Sequence, residues 1–248
     1  MVVAGLAALG ACGDDGEPEA ATTTEAPTTT GDTTTSTPSV RTSTTGGSAT
    51  TELPGEDSDI GPAEGEILGV VGVTHDDVLN VRDGPGTAND VIATLAPLAD
   101  DVEATGRHRY LAGPPGSFWW ELRVDGTVGW ANAAFLAWLG ATDDATAGIV
   151  ARLGGRPTAD TMEQLGRIVA ESQASTDDPE SAITLTVAPT VGDLGEVTFD
   201  VVGLADDSVL GVRVHVFGDP SGGAGFVLDT VELTVLCGRG ADDDGLCV

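Results

Sequence analysis

The side chains able to do covalent chemistry are few and scattered along the chain. Three thiols are present, Cys12, Cys237 and Cys247. A cysteine nucleophile needs a free thiolate with a histidine base in reach. Cys237 and Cys247 lie close together near the C-terminus and are expected to form a disulfide in an oxidising compartment, which leaves Cys12 alone at the other end of the chain. The histidines, His75, His108 and His215, are isolated, with no HExxH or related spacing to hold zinc. No serine sits in a G-x-S-x-G elbow or an SxxK motif. Carboxylates are abundant enough to supply a glycosidase pair, but aromatic residues beyond 108–138 are too few to line a sugar cleft. The acidic clusters Asp206-Asp207 and Asp242-Asp243-Asp244 lack the alternating spacing of a calcium loop and read as solvated turns. The sequence is therefore read as non-catalytic, without metal or cofactor, with a hydrolase as the least favoured alternative.

Side chains suited to binding are better grouped. All four tryptophans fall between residues 119 and 138. In the run FWWELRV, adjacent residues of a strand point to opposite faces. Trp119 is thus expected to turn away from Trp120 and, with His108, Tyr110 and Phe118, either to line an exposed aromatic groove or to form a loop-packing cluster. In VLNVR, Asn80 and Arg82 alternate with Leu79 and Val81 and share the face opposite that apolar pair. The forked donors of Arg82 suit a ligand carboxylate; the alternative is a pair with Asp83 or Asp101.

The elements that must position these residues are short strands. From Ile67 to Ala131, apolar runs of four to seven residues alternate with Gly, Pro, Asp and Asn punctuation. Asp125-Gly126 joins two of the runs and suits a type I′ hairpin turn. Five or six such strands in about seventy residues make a small barrel. The segment Val78-Leu79-Asn80-Val81-Arg82-Asp83-Gly84-Pro85-Gly86 resembles the LNVRSGPS signature of bacterial SH3 (SH3b) domains. Trp120–Val124, Gly126 and Val128-Gly129-Trp130-Ala131 resemble the family's W-x-K-V…G-x-x-GWV ending, and Ala133–Leu136 its closing turn. The resemblance covers about 70 residues. It implies an SH3-like barrel over 66–140, with Trp120 and Trp130 packing the barrel, and binding to peptidoglycan, to its peptides or to an extracellular protein. A Pro- and Gly-rich insertion over 109–117 departs from the family pattern.

The flanking regions differ in composition. The apolar start MVVAGLAALGAC is too short to span a bilayer and suits an export signal. Leu9-Gly10-Ala11-Cys12 resembles the lipobox of bacterial lipoproteins, although no Arg or Lys precedes the run. The resemblance implies lipidation of Cys12 and an extracytoplasmic, membrane-anchored protein. Residues 13–65 are rich in Thr and Pro with almost no large apolar side chain. They are expected to be a disordered stalk, about 40 Å from end to end as a random coil.

Beyond residue 140 the pattern is different again. Met162, Leu165, Ile168 and Val169 recur at helical spacing within Thr161–Gln173, with Asp160 and Glu163 as the expected capping pair. A shorter helix is expected between Asp143 and Leu153. The period then switches to two over Ile183–Val187, Val197–Val202, Val209–Phe217 and Phe226–Leu236. Residues 141–248 thus read as an α+β domain with one or two helices and a four-stranded antiparallel sheet. An adaptor or sensor role using this domain is the alternative to wall binding.

Charge bounds the partners. The net charge is -30, with forty acidic residues against ten arginines and no lysine. This excludes a phosphate-neutralising surface, so no nucleic acid is expected. It equally excludes electrostatic docking on anionic lipid, which leaves the N-terminal lipid as the only membrane contact.

Overall fold

Period-two patterning dominates the chain beyond residue 66, and the computed structural model is mainly β. It describes residues 52–176, 180–192, 194–204, 206–222 and 225–248. Cys12 and most of the expected stalk lie outside the described residues. In chain order the elements are β1 (Glu56–Asp57), β2 (Ile67–Val70), β3 (Leu79–Arg82), β4 (Val91–Leu95), β5 (Val102–Leu111), β6 (Ser117–Val124), β7 (Thr127–Asn132), β8 (Leu136–Asp144), α1 (Thr146–Leu153), β9 (Thr158–Ala159), α2 (Met162–Glu171), β10 (Ala182–Val191), β11 (Gly195–Val202), β12 (Val209–Pro220) and β13 (Phe226–Cys237). A 3-10 turn over Ala133–Phe135 separates β7 from β8. Among the described residues no helix is long and apolar enough to cross a membrane.

The strands pair antiparallel in the order β10-β11-β12-β13-β8-β2-β5-β6-β7-β3-β4, with β1 beside β5 and β9 beside β13. Hairpins made by chain neighbours account for β5-β6-β7 and for β10 through β13. Asp125 and Gly126 both have positive φ, 49° and 78°. That geometry is the I′ turn expected between β6 and β7, whose twist matches the flanking strands. Strand β8 runs through residue 140, where the domain boundary was expected. It pairs with β2 through Ala137 and Leu136 and with β13 through Trp138, Leu139 and Thr142.

Two cores result. In the first, Leu68, Val81, Trp120, Leu122 and Leu136 pack together, with the Trp120 and Trp138 ring centroids 5.5 Å apart. In the second, Met162, Leu165 and Val169 of α2 pack onto Phe199, Val214 and Val216. Gly166 lets α2 come this close, because a Cβ there would collide with Val197 and Phe199. The helix is capped one residue later than expected. Thr161, not Asp160, is the N-cap, and its hydroxyl accepts from the Gln164 N–H at 3.2 Å. Thr161 is the residue with extended backbone, and Thr161-x-x-Gln164 supplies the spacing that cap geometry requires. The first helix begins at Thr146, because Asp143 and Asp144 are taken into β8 by pairing with Leu233 and Glu232.

The segment 52–65, expected as the end of the stalk, is folded. The Ser58 N–H donates to the His108 carbonyl and the Gly65 N–H to the Ala104 carbonyl, at 3.2 and 2.9 Å. The Arg109 guanidinium donates to the carbonyls of Leu53 and Pro54 and pairs with Asp57. Backbone hydrogen bonding along β5, rather than apolar content, holds this polar stretch.

At the other end, Cys237 and Cys247 form the expected disulfide, with Cα atoms 5.2 Å apart. The loop it closes is an acidic turn. The Asp242 carboxylate accepts from the N–H groups of Asp244 and Leu246 at 3.0 and 2.8 Å, and the Gly245 carbonyl accepts from Ala141 at 2.9 Å. Opening this loop in Cys247→Ser is expected to lower unfolding free energy by about 2.5–3 kcal/mol in the chain-entropy picture, read as a lower denaturant midpoint.

Candidate ligand-binding groove

Strand β3 sends Leu79 and Val81 into the first core, 5% and 0% exposed, and leaves Asn80 and Arg82 half-buried on its outer face. Register then decides which residues join them. Arg82 pairs with Trp130, Trp130 with Glu121, and Asn132 with Trp119. Because paired residues share a face and alternate along each strand, Asn80, Arg82, Trp119, Glu121, Trp130 and Asn132 all lie on one surface. Asn80, Arg82, Trp119 and Asn132 line a cavity of about 270 Å³, which Phe135 and the segment from Gly72 to Val78 wall in.

Three expected binding residues therefore meet in this groove: Asn80, Arg82 and Trp119. Trp119 is only 3% exposed, so it is a buried wall and not an open aromatic platform. Its indole N–H donates to the Ser117 hydroxyl at 3.0 Å. Arg82 pairs with neither Asp83 nor Asp101. One of its Nη atoms donates to the Asn89 carbonyl at 2.7 Å, and the guanidinium forms no ion pair among the described residues, although Asp77 lines the same cavity. The Asn80 side-chain amide makes no hydrogen bond with the described residues, so both of its polar atoms remain available to a ligand.

Trp130 is buried, 2% exposed, and register puts it on the sheet face of Arg82 and Glu121, with the Arg107 guanidinium 5.4 Å from its ring centroid. Trp120 does pack the first core. The pairing Trp130↔Glu121 explains the split, since Trp120 and Glu121 are neighbours on one strand and point to opposite sides. Glu121 is itself buried and accepts from Arg107 at 2.6 Å and Thr105 at 2.7 Å. A carboxylate removed from water in this way needs such donors.

The other expected binders lie on the opposite face. His108 pairs with Trp120 and Tyr110 with Phe118, the latter rings 4.9 Å apart. The His108 ring nitrogens sit 2.7 Å from the Pro62 carbonyl and 3.3 Å from that of Ser58. His108 is thereby committed to holding the 52–65 segment. Phe118 lines a separate depression with Pro115 and Leu210. Of the two arrangements expected for His108, Tyr110, Phe118 and Trp119, the single exposed groove does not form, while Tyr110 and Phe118 pack on each other apart from Trp119.

Several groove positions were not legible as such. Asn132 could have been found, since the TVGWAN alternation puts it on the face of Trp130. Phe135 and the wall from Gly72 to Val78 follow no strand or helix period. Within that wall the Thr74 hydroxyl, the residue's own N–H and the nearby His75 hold the exposed Asp76 carboxyl below its usual range. Elsewhere, Asp206 is held low by the N–H groups of Val209 and Ser208, and Asp144 by the hydroxyl and N–H of Thr146. The last two are turn and cap contacts at residues that do not line the groove. Among the described residues no three His, Cys, Asp or Glu side chains converge to hold a metal ion.

Comparison with known protein families, with curated proteins and with solved structures returns no match. The groove must be interpreted from its own chemistry.

Proposed function

We propose that this chain is an extracytoplasmic lipoprotein, anchored through Cys12, whose residues 66–140 form an SH3b-like barrel that binds peptidoglycan peptides without catalysis. The observation that carries the reading is Arg82. In a chain with forty acidic residues, this guanidinium lines a cavity, keeps a backbone carbonyl as anchor and has no carboxylate partner among the described residues. A fixed fork with unused donors is suited to a peptide carboxylate. Asn80 adds a donor and an acceptor for the adjoining amide, and Trp119 and Phe135 supply apolar walls. The cavity, at about 270 Å³, falls at the small end of ligand pockets and fits a chain terminus with small side chains. The disulfide agrees with an oxidising compartment.

The test is retention of the full chain on purified cell wall, with a short peptide ending in D-Ala-D-Ala as the soluble competitor. The free-carboxylate peptide is expected to elute the protein and its C-terminal amide to fail. Arg82→Gln is expected to weaken binding by about 10- to 100-fold, the range for losing a charge-assisted hydrogen bond, while leaving the denaturant midpoint unchanged. Absence of retention at every salt concentration would remove the wall-binding reading. Equal elution by acid and amide would remove the role of Arg82. For the anchor, a labelled fatty acid should enter the wild-type chain and not Cys12→Ser.

A further inference from the structure

The groove is built by the first half of the sheet, yet one of its walls is held by the second half. The segment that runs from Val70, the last residue of β2, to Val78 contributes Gly72, Val73, Thr74, Asp77 and Val78 to the lining. Three of its backbone groups bond to residues more than one hundred positions away. The Val70 carbonyl accepts from Arg213 Nη2 at 2.7 Å. The Gly72 N–H donates to Asp200 Oδ2 at 2.9 Å. The His75 N–H donates to the Leu185 carbonyl at 2.9 Å. Asp200 is fully buried and takes two more bonds from Arg213, 2.8 Å from Nε and 3.0 Å from Nη2. Beneath the wall, Val71 packs with Ala137 and Leu236 and donates its N–H to the Phe135 carbonyl, which links the two sides of the cavity.

We infer that Asp200 and Arg213 are positioning residues for the groove, and that β10, β11 and β12 are coupled to it through the Gly72–Val78 wall. The wall has no ladder of its own, so its conformation is whatever these bonds select. Moving β10 or the Asp200–Arg213 pair releases Gly72 and His75 and lets the wall leave the cavity. Coupling is reciprocal: a ligand that contacts the wall stabilises the clasp. This assigns the C-terminal domain a part in binding. The ligand arm rests on the groove reading above, whereas the exchange arm below does not.

The experiment is amide hydrogen exchange on the full chain across sub-denaturing denaturant, with and without the D-Ala-D-Ala peptide. In the wild-type protein the Gly72 and His75 amides are expected to open together with those of β11. Exchange at the rate of an open loop while β11 stays protected would overturn the inference. Asp200→Asn and Arg213→Lys are expected to speed exchange at Gly72 and His75 at least 10-fold and to weaken peptide binding about 10-fold, with Arg82 untouched. Either variant folding cooperatively with unchanged exchange and unchanged affinity would also overturn it. If Asp200→Asn does not fold, the wild-type exchange pattern and Arg213→Lys still decide. Failure of the wild-type chain to bind peptide, with the predicted exchange pattern intact, would strike the groove reading and leave the clasp standing.

Discussion

Asp200→Ala is expected to lower the unfolding free energy by about 3–5 kcal/mol, among the largest effects of any single substitution in this chain. Asp200 is 0% exposed and the Arg213 side chain 11% exposed, so removing the carboxylate strands a guanidinium where water reaches poorly. It also removes the acceptor of the Gly72 N–H. The double variant Asp200→Leu/Arg213→Met separates the two costs. Replacing both members of a buried pair by apolar residues is often neutral, so the charge penalty should disappear. The Gly72 N–H and Val70 carbonyl would still lack their partners, at about 1–3 kcal/mol for each buried group left unsatisfied. Partial recovery, measured by denaturant midpoints, is therefore the expected result. Full recovery would mean that water satisfies those backbone groups. A loss below about 1 kcal/mol in Asp200→Ala would show that the pair behaves as a surface ion pair.

Trp120→Ala is expected to cost about 3–5 kcal/mol, the usual range for deleting a large aromatic from a core. Trp120 packs against Trp138 and donates its indole N–H to the Ile60 carbonyl at 3.3 Å. The same substitution thus empties the first core and frees the 52–65 segment. Its neighbour offers a contrast. Trp119→Leu keeps an apolar group on the groove face and lies outside that core, so a smaller stability loss and a loss of peptide retention are expected. The pair of variants, read by denaturant midpoint and by wall binding, distinguishes a core tryptophan from a groove tryptophan at adjacent positions. An unfolded Trp119→Leu together with a stable Trp120→Ala would reverse the assignment of the two faces.

Much of the local structure was legible because it depends on near neighbours. Alternation in VLNVR separates Leu79 and Val81 from Asn80 and Arg82, and the strand does so. Asp125-Gly126 makes the turn that its tolerance of positive φ allows. The helix cap moved by one residue, from Asp160 to Thr161, because either side chain can accept from the first-turn N–H groups and only backbone geometry selects between them. The aromatic cluster was less legible. His108, Tyr110 and Phe118 were grouped with Trp119 by closeness in sequence, but cross-strand register sends them to the other face. Register depends on bonds between strands, and composition does not report it. The folded 52–65 segment was missed for a related reason: its order comes from β5 and Arg109, while its own residues carry little apolar surface.

The sequence alone determined the Thr- and Pro-rich composition ahead of the strands, the strongly acidic net charge, the approximate positions of β3, β4, β6, β7 and β11 to β13, and the pairing of Cys237 with Cys247. Each of these follows from composition or from spacing within one element. Only the tertiary structure decided that Arg82 has no carboxylate partner among the described residues, that Trp119 is a buried wall, and that the wall from Gly72 to Val78 is held by Asp200, Arg213 and Leu185. Those facts belong to contacts between residues far apart in the chain. A hydrogen bond separated by 128 positions, from Gly72 to Asp200, has no local signature, because the groups on either side look like ordinary loop and strand residues until the sheet brings them together.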